Sequence, residues 1–241
     1  MCRLLAYLGP PVTLDALLLD PPHSLLRQSW APRHQTHGVV NADGFGVGWY
    51  DPARRPEPAR YRSAQPMWAD RNLPSLAPLI STGAVLAAVR SATPPSPVEE
   101  TAAPPYTAGP WLFAHNGAVD GFFGAAGVAL RRAVSDRRLA GVESATDAEL
   151  LFALVLDRLD AGQSAGEALA DVISQVSGRL NLMLTDGVQV VATVWGESLF
   201  TRAGSGVVVA SEPFDDAPEW APVPDRTLVT ATAESLRTES L

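Results

Sequence analysis

Lysine is absent from this 241-residue chain, and all eighteen of its basic side chains are arginines. That absence removes a phosphate-loop lysine, a Schiff-base lysine and a serine–lysine dyad from consideration. Cysteine is nearly absent: it occurs once, at position 2, so no disulfide can close within the chain, which suits a reducing cytoplasm. Basic charge is in deficit, with a net charge of −8 and no basic stripe, which argues against nucleic acid or an anionic membrane as partner. Long hydrophobic runs are missing too. The apolar stretch Leu4–Leu8 stops at Gly9-Pro10-Pro11, with Asp15 close behind, and does not read as a secretory signal. The run around Leu79–Val89 is too short and interrupted to cross a bilayer. The expectation is a soluble, cytoplasmic protein with no membrane or nucleic-acid partner; its oligomeric state is left open.

What is present is ordinary globular material: 46% hydrophobic and 18% charged residues, without repeats or heptads. Three proline-rich stretches, 51–58, 94–105 and 212–225, read as loops. Arg3–Leu8, Phe45–Tyr50, Ala84–Arg90 and Trp111–His115 have strand length and composition. Thr13–Leu19 reads as a short helix. Thr146–Leu159 is the clearest helix, with Thr146 and Glu149 spaced as a capping box and Leu150, Leu151, Leu154, Val155 and Leu159 as its buried face. A further helix is expected over Ser164–Val176. Short β-like runs follow at 180–185, 188–194, 199–202, 207–210, 227–231 and 235–241. Strands at both ends with helices between them predict a single α+β domain of two antiparallel sheets in layers.

The position of the single cysteine is the chemical clue. Cys2 is small enough for Met1 to be trimmed ahead of it, which would place a thiol and a free α-amine on one residue, a nucleophile with its own proton acceptor. The reference pKa values of the two groups lie within about one unit, so proton transfer between them is easy near neutral pH. The alternative is a small residue that packs as a hydrophobe.

Three further segments can be read in two ways. His115-Asn116-Gly117, after an apolar strand, is either a tight hairpin turn or a pair of converging donors, the Asn116 side chain and the Gly117 backbone N–H, unobstructed by a Cβ. Arg90 is either a surface residue emerging from a strand or a fork for a carboxylate, with the Thr93 hydroxyl as a second donor. Asp147 is either an acid favoured by the helix dipole or a receptor for an ammonium group. Together Arg90 and Asp147 could read the head of an α-amino acid.

Met1-Cys2-Arg3, Arg90-Ser91-Ala92-Thr93, His115-Asn116-Gly117 and Thr146-Asp147-Ala148-Glu149, in that order, resemble the class II glutamine amidotransferases of the N-terminal-nucleophile hydrolase superfamily. The resemblance implies a four-layer αββα sandwich of two mainly antiparallel sheets, one such domain over residues 1–241, and removal of Met1. It implies Cys2 as nucleophile, Asn116 and Gly117 as oxyanion donors, Arg90 with Thr93 for the glutamyl α-carboxylate and Asp147 for the α-amine. Pro94 follows the Arg-x-Ala-Thr motif where glucosamine-synthase-type members tend to carry His. No metal or organic cofactor is implied.

Asp20-Pro21-Pro22-His23, Asn41-Ala42-Asp43-Gly44, Arg179-Leu180-Asn181, Trp195-Gly196, Ala210-Ser211-Glu212-Pro213 and Val223-Pro224-Asp225-Arg226 narrow the resemblance to the amidohydrolase branch that serves ergothioneine biosynthesis. That branch removes the γ-glutamyl group of γ-glutamyl-hercynylcysteine S-oxide. No residues remain for a synthase domain, which favours hydrolysis over amido transfer. The nearest rival is a γ-glutamyl hydrolase acting on glutathione or its conjugates; a rival of another class is a non-catalytic module that keeps the glutamyl site.

Other patterns carry less. His34-Gln35-Thr36-His37 lacks the further ligands of a zinc set. Gly44–Gly48 has the glycines of a phosphate loop but not its strand–loop–helix setting, and reads as a strand approached closely by another backbone. Trp68, Trp111 and Trp220 are candidates to meet a trimethylammonium group by cation–π contact.

Overall fold

The computed structural model describes residues 2–241. The expected removal of Met1 therefore falls outside the described residues. Strand β1 (Cys2–Thr13) opens the chain, followed by two short helices, α1 (Leu14–Leu18) and α2 (Leu25–Gln28). The hairpin β2 (Phe45–Trp49) and β3 (Ala59–Ser63), the single-turn helix α3 (Leu73–Leu76) and the long β4 (Ser81–Arg90) come next. Then follow β5 (Tyr106–Ala108), β6 (Trp111–Val119), and the helices α4 (Ala125–Ala133), α5 (Asp136–Leu139), α6 (Asp147–Asp160) and α7 (Ala165–Ser174). The C-terminal third supplies β7 (Gly178–Thr185), β8 (Gln189–Val194), β9 (Phe200–Gly204), β10 (Gly206–Ala210), β11 (Ala221–Pro222), β12 (Thr227–Thr232) and β13 (Leu236–Ser240).

Thirteen strands form two antiparallel sheets, a seven-stranded one ordered β11-β9-β10-β1-β4-β2-β3 and a six-stranded one ordered β13-β12-β8-β7-β6-β5. Alternation along β1 and β4 sorts their residues into two cores. Leu4, Ala6 and Leu8, with Ala84, Leu86 and Ala88, meet Leu112, Ala114 and Met183 of the other sheet in the inter-sheet core. Leu5 and Tyr7, with Val85, Ala87 and Val89, face outward under α1 to α3. Both faces of these strands are buried, which is why they read as unbroken apolar runs. The second sheet packs its other face on α6 and α7, where Phe113 stacks on Phe152 with ring centroids 5.1 Å apart. The architecture is the expected αββα sandwich, thin on one side, where the covering helices have only four or five residues.

Several boundaries differ from the sequence reading. β1 runs through Gly9-Pro10-Pro11 to Thr13, because a bulge between Leu8 and Val12 absorbs the prolines at the end of the β4 ladder. The capping box expected at Thr146 is half formed: Thr146 Oγ1 accepts from the Glu149 N–H at 3.3 Å. The Glu149 carboxylate turns instead to the Glu143 N–H, the Ser144 N–H and the Ser144 hydroxyl, fastening the loop before α6. The complete capping box belongs to Ser164 and Glu167 on α7. Gly46 meets the expectation of close backbone approach, since a Cβ there would lie 2.4 Å from the Pro104 carbonyl oxygen.

Candidate active site

At one end of the sandwich the two sheets present Cys2 and Asn116 to each other. Cys2 begins β1 and is nearly buried, and Asn116 lies late in β6 with no exposed surface. The Cys2 nitrogen donates to Asn116 Oδ1 at 2.9 Å, a bond that spans the two sheets. Spending Oδ1 on Cys2 orients the rest of the Asn116 amide. Its Nδ2 is buried and has no hydrogen-bond partner among the described residues, a costly state for a donor unless a ligand completes it.

Asn116-Gly117 is not a hairpin turn; β6 continues through both to Val119. Gly117 stands opposite Leu180 of β7. Leu180 sends its N–H to the Trp195 carbonyl and receives the Thr193 hydroxyl on its own carbonyl, both on the β8 side. Gly117 is therefore in a non-hydrogen-bonded pair, and its N–H points away from β7, toward the side where β5 has already ended. The reason for glycine here differs from the sequence reading. With φ at +152°, an added Cβ would sit 1.8 Å from the Arg179 carbonyl oxygen, so the neighbouring strand, and not substrate access, demands the missing side chain.

Arg90 closes β4 directly opposite Cys2 and is almost fully buried, not a surface residue. Its Nη1 donates to the carbonyls of Asp43 (3.2 Å) and Pro97 (2.9 Å), and its Nη2 to Ser96 Oγ (2.8 Å). A guanidinium has five N–H donors, so Nε–H and one Nη2–H remain for a ligand. Asp43, from the Asn-Ala-Asp-Gly motif, also accepts the Ala92 N–H on its carboxylate and exchanges backbone bonds that brace the end of β4. Thr93 follows in the exposed loop beyond.

Asp147 is the first residue of α6. Oδ2 accepts the Val119 N–H at 2.9 Å and Oδ1 the Ala148 N–H at 2.8 Å, which fixes the carboxylate at the helix N-terminus beside the end of β6. Behind it, the Tyr106 hydroxyl bonds Thr146 Oγ1 at 3.0 Å and the Ala102 carbonyl at 3.0 Å, tying the 94–105 loop to α6. Burial pushes the Tyr106 hydroxyl well above its ordinary range, so it stays protonated and able to donate.

Cys2, Arg90, Thr93, Gly117 and Asp147 all line one cavity of about 580 Å³, a volume suited to a small polar metabolite. The cavity is otherwise walled by Pro94, Pro95 and the segment 121–126. Its aromatic lining comprises Tyr106, His115 and the pair Phe122 and Phe123, in edge-to-face contact at 5.0 Å. The three tryptophans do not reach it. Trp68 packs edge-on against Trp30, Trp111 lines a different groove beside α7, and Trp220 bonds Asp215 under the outer face of the first sheet. Among the site's supports, Asp43 was legible as part of a motif, whereas nothing in the sequence marked Tyr106.

Comparison with known proteins places the chain in a family. The family model described as glutamine amidotransferases class-II matches residues 1–205. The gamma-glutamyl-hercynylcysteine sulfoxide hydrolase of Mycobacterium tuberculosis (strain CDC 1551 / Oshkosh) is 43% identical over 100% of this chain and 97% of its own length. The protein of the same description from Mycolicibacterium smegmatis is also 43% identical, over 95% of each chain. Among solved structures, a glutamine aminotransferase class-II domain protein from Silicibacter pomeroyi superimposes with a TM-score of 0.71 at 27% identity, covering 99% of both chains.

Proposed function

This chain belongs to the class II glutamine amidotransferases, and from that premise we propose that it is a cysteine-dependent amidohydrolase that cleaves the γ-glutamyl amide of γ-glutamyl-hercynylcysteine S-oxide, releasing glutamate and hercynylcysteine S-oxide in ergothioneine biosynthesis. Residues 1–241 act as one domain, with Met1 removed. The substrate follows from the full-length similarity to the two mycobacterial hydrolases. The observation that carries the chemistry is the division of labour in one amide: Asn116 Oδ1 holds the Cys2 nitrogen, while the buried Nδ2 awaits an acceptor.

The steps follow from the geometry. Arg90 Nε–H and Nη2–H, with the Thr93 hydroxyl, hold the glutamyl α-carboxylate, and the Asp147 carboxylate holds the α-ammonium. Fixing the head delivers the γ-carbonyl to Cys2 and turns recognition into proximity. The thiol proton passes to the α-amine of the same residue and sulfur attacks the γ-carbon. The developing oxyanion takes the Asn116 Nδ2–H and the Gly117 N–H, each such donor contributing about 10²–10³ in rate. The ammonium returns its proton to the departing amine, leaving a γ-glutamyl thioester. Water, deprotonated by the same amine, then hydrolyses it to glutamate and restores the thiol.

The test is glutamate release by Met1-trimmed protein offered γ-glutamyl-hercynylcysteine S-oxide, glutathione and glutamine in parallel, with Cys2→Ala as control. Preferred turnover of the sulfoxide, abolished in Cys2→Ala, is expected. Preferred turnover of glutathione would keep the chemistry and change the substrate. No Cys2-dependent release from any of the three would sink both.

A further inference from the structure

Arg3 is the largest side chain with no exposed surface, and the chemistry above makes no use of it. Burying a guanidinium within a strand is expensive, and an aliphatic residue would suit the surrounding core better. Its contacts explain the choice. Arg3 Nε donates to the carbonyl oxygen of Cys2 at 2.7 Å, and Nη1 reaches Ser198 Oγ at 3.4 Å. The carboxylates of Glu212 and Glu197, both buried, lie close enough to hold its charge against the desolvation that draws its pKa downward.

The Cys2 carbonyl has no other claimant in the sheet. Arg90 gives its backbone N–H to Gly44 and its carbonyl to Asp43, on the β2 side, so the Cys2–Arg90 pair is a non-hydrogen-bonded one. The polar groups of Cys2 therefore point toward β10, like those of Leu4, which exchanges bonds with Ser211. β10 ends at Ala210, opposite Leu5, and does not extend to Cys2. Cys2 is thus paired with Arg90 but receives no ladder hydrogen bond from either neighbouring strand. Its nitrogen is taken by Asn116 and its carbonyl by Arg3.

We propose that Arg3 is a positioning residue for the nucleophile: by gripping the Cys2 carbonyl while Asn116 grips the Cys2 nitrogen, it fixes the backbone rotation of the N-terminal residue and so the direction in which its Cα–Cβ bond carries the thiol into the cavity. The loops at either side hold the grip in place. Glu212 accepts the Arg33 and His34 N–H groups at 2.8 and 2.6 Å, Glu197 pairs with Arg179 at 2.8 Å, and Ser198 Oγ donates to the Ser211 carbonyl at 2.8 Å.

This rests on the N-terminal-cysteine chemistry proposed above, and two readouts keep the inferences separable. Arg3→Gln and Arg3→Lys would be compared with the parent, in Met1-trimmed form, for steady-state glutamate release and for alkylation of Cys2 by iodoacetamide without substrate. Lysine keeps the charge opposite Glu212 and Glu197, and hence the fold, but loses the fork that serves two acceptors. The expected result is a fall in kcat of about 100-fold for Arg3→Gln and about 10-fold for Arg3→Lys, the scale of an ångström's misplacement. KM should stay within about threefold, and alkylation should slow in both variants. A role confined to folding would lower Tm and leave kcat of the folded fraction and the alkylation rate unchanged, which would overturn the proposal, as would a loss confined to KM. If Arg3→Gln does not fold, Arg3→Lys decides alone. If the parent releases no glutamate from any γ-glutamyl substrate, the alkylation rates decide for Arg3 while the proposed function falls.

Discussion

Cys2 and Arg90 stand directly opposite each other in the antiparallel pair of β1 and β4, with both side chains on the inter-sheet face. Theirs is a non-hydrogen-bonded position, where Cα atoms approach to about 4.5 Å and side chains are closest. The spacing of the Cys2 sulfur and the Arg90 guanidinium is thus set by strand register, the least adjustable dimension of a sheet. Asp147 reaches the cavity, and Asn116 the Cys2 nitrogen behind its wall, from the other sheet and its covering helix, so the arrangement depends on how the two layers stack.

Asn116→Asp separates the two duties of that side chain. An oxygen remains for the Cys2 amine, but the Nδ2–H donor is lost. The expected result is a fall in kcat of about 10²–10³ with KM little changed, read from steady-state glutamate release. A loss of equal size in KM, with kcat intact, would place Asn116 in substrate binding instead.

Asp147→Asn should raise KM for a γ-glutamyl amide by about 10- to 100-fold, since a charged hydrogen bond to the α-ammonium is worth about 1.5–3 kcal/mol. The matching glutaryl amide, which lacks the α-amine, should be turned over equally by parent and variant. Continued discrimination between variant and parent on the glutaryl compound would point to a role in bracing Val119 alone.

Gly117→Ala should destabilise the fold by about 3–5 kcal/mol, because the new methyl would collide with the Arg179 carbonyl. For a chain of this size that is a drop of roughly 8–15 °C in Tm. A near-parental melt would mean that β7 yields easily at Arg179.

Asp215 gives a pH-dependent stability term. Burial alone would raise its carboxyl, but hydrogen bonds from Trp220 Nε1, Arg202 and the Ala217 N–H hold it below the ordinary 3.8. A folded-state value below the unfolded one means the stabilisation is full above about pH 4 and fades as pH falls through the folded value. Asp215→Asn should therefore cost about 1–2 kcal/mol in urea unfolding at pH 7. The gap to the parent should narrow at pH 3; a gap of constant size would assign the effect to packing on Phe214 and Trp220.

The order of the four motifs was enough to read the family and the residues around the cavity, because each carries side-chain chemistry that few other roles require. Reasons resting on backbone direction were not legible. Nothing in His115-Asn116-Gly117 distinguishes a turn from a strand whose N–H groups face an open edge, since that depends on where β5 stops. Glu149 has capping-box spacing, yet its carboxylate is drawn off by two adjacent N–H groups and the Ser144 hydroxyl, three donors against one. The tryptophans invited a cation-binding role by residue type alone, while the aromatic pair in the cavity, Phe122 and Phe123, stood in a glycine-rich segment that read as nothing in particular.

The burial of Cys2 also bears on when the proposed removal of Met1 can take place. Once β1 is paired with β4 and the Cys2 nitrogen is held by Asn116, Cys2 is buried between the two sheets. β4 begins at Ser81 and Asn116 lies further on, so the amino terminus emerges from the ribosome long before either exists. At about 5–20 residues per second, Asn116 is reached roughly 6–23 s after synthesis begins. The removal of Met1 that we propose therefore belongs to the interval before those contacts form.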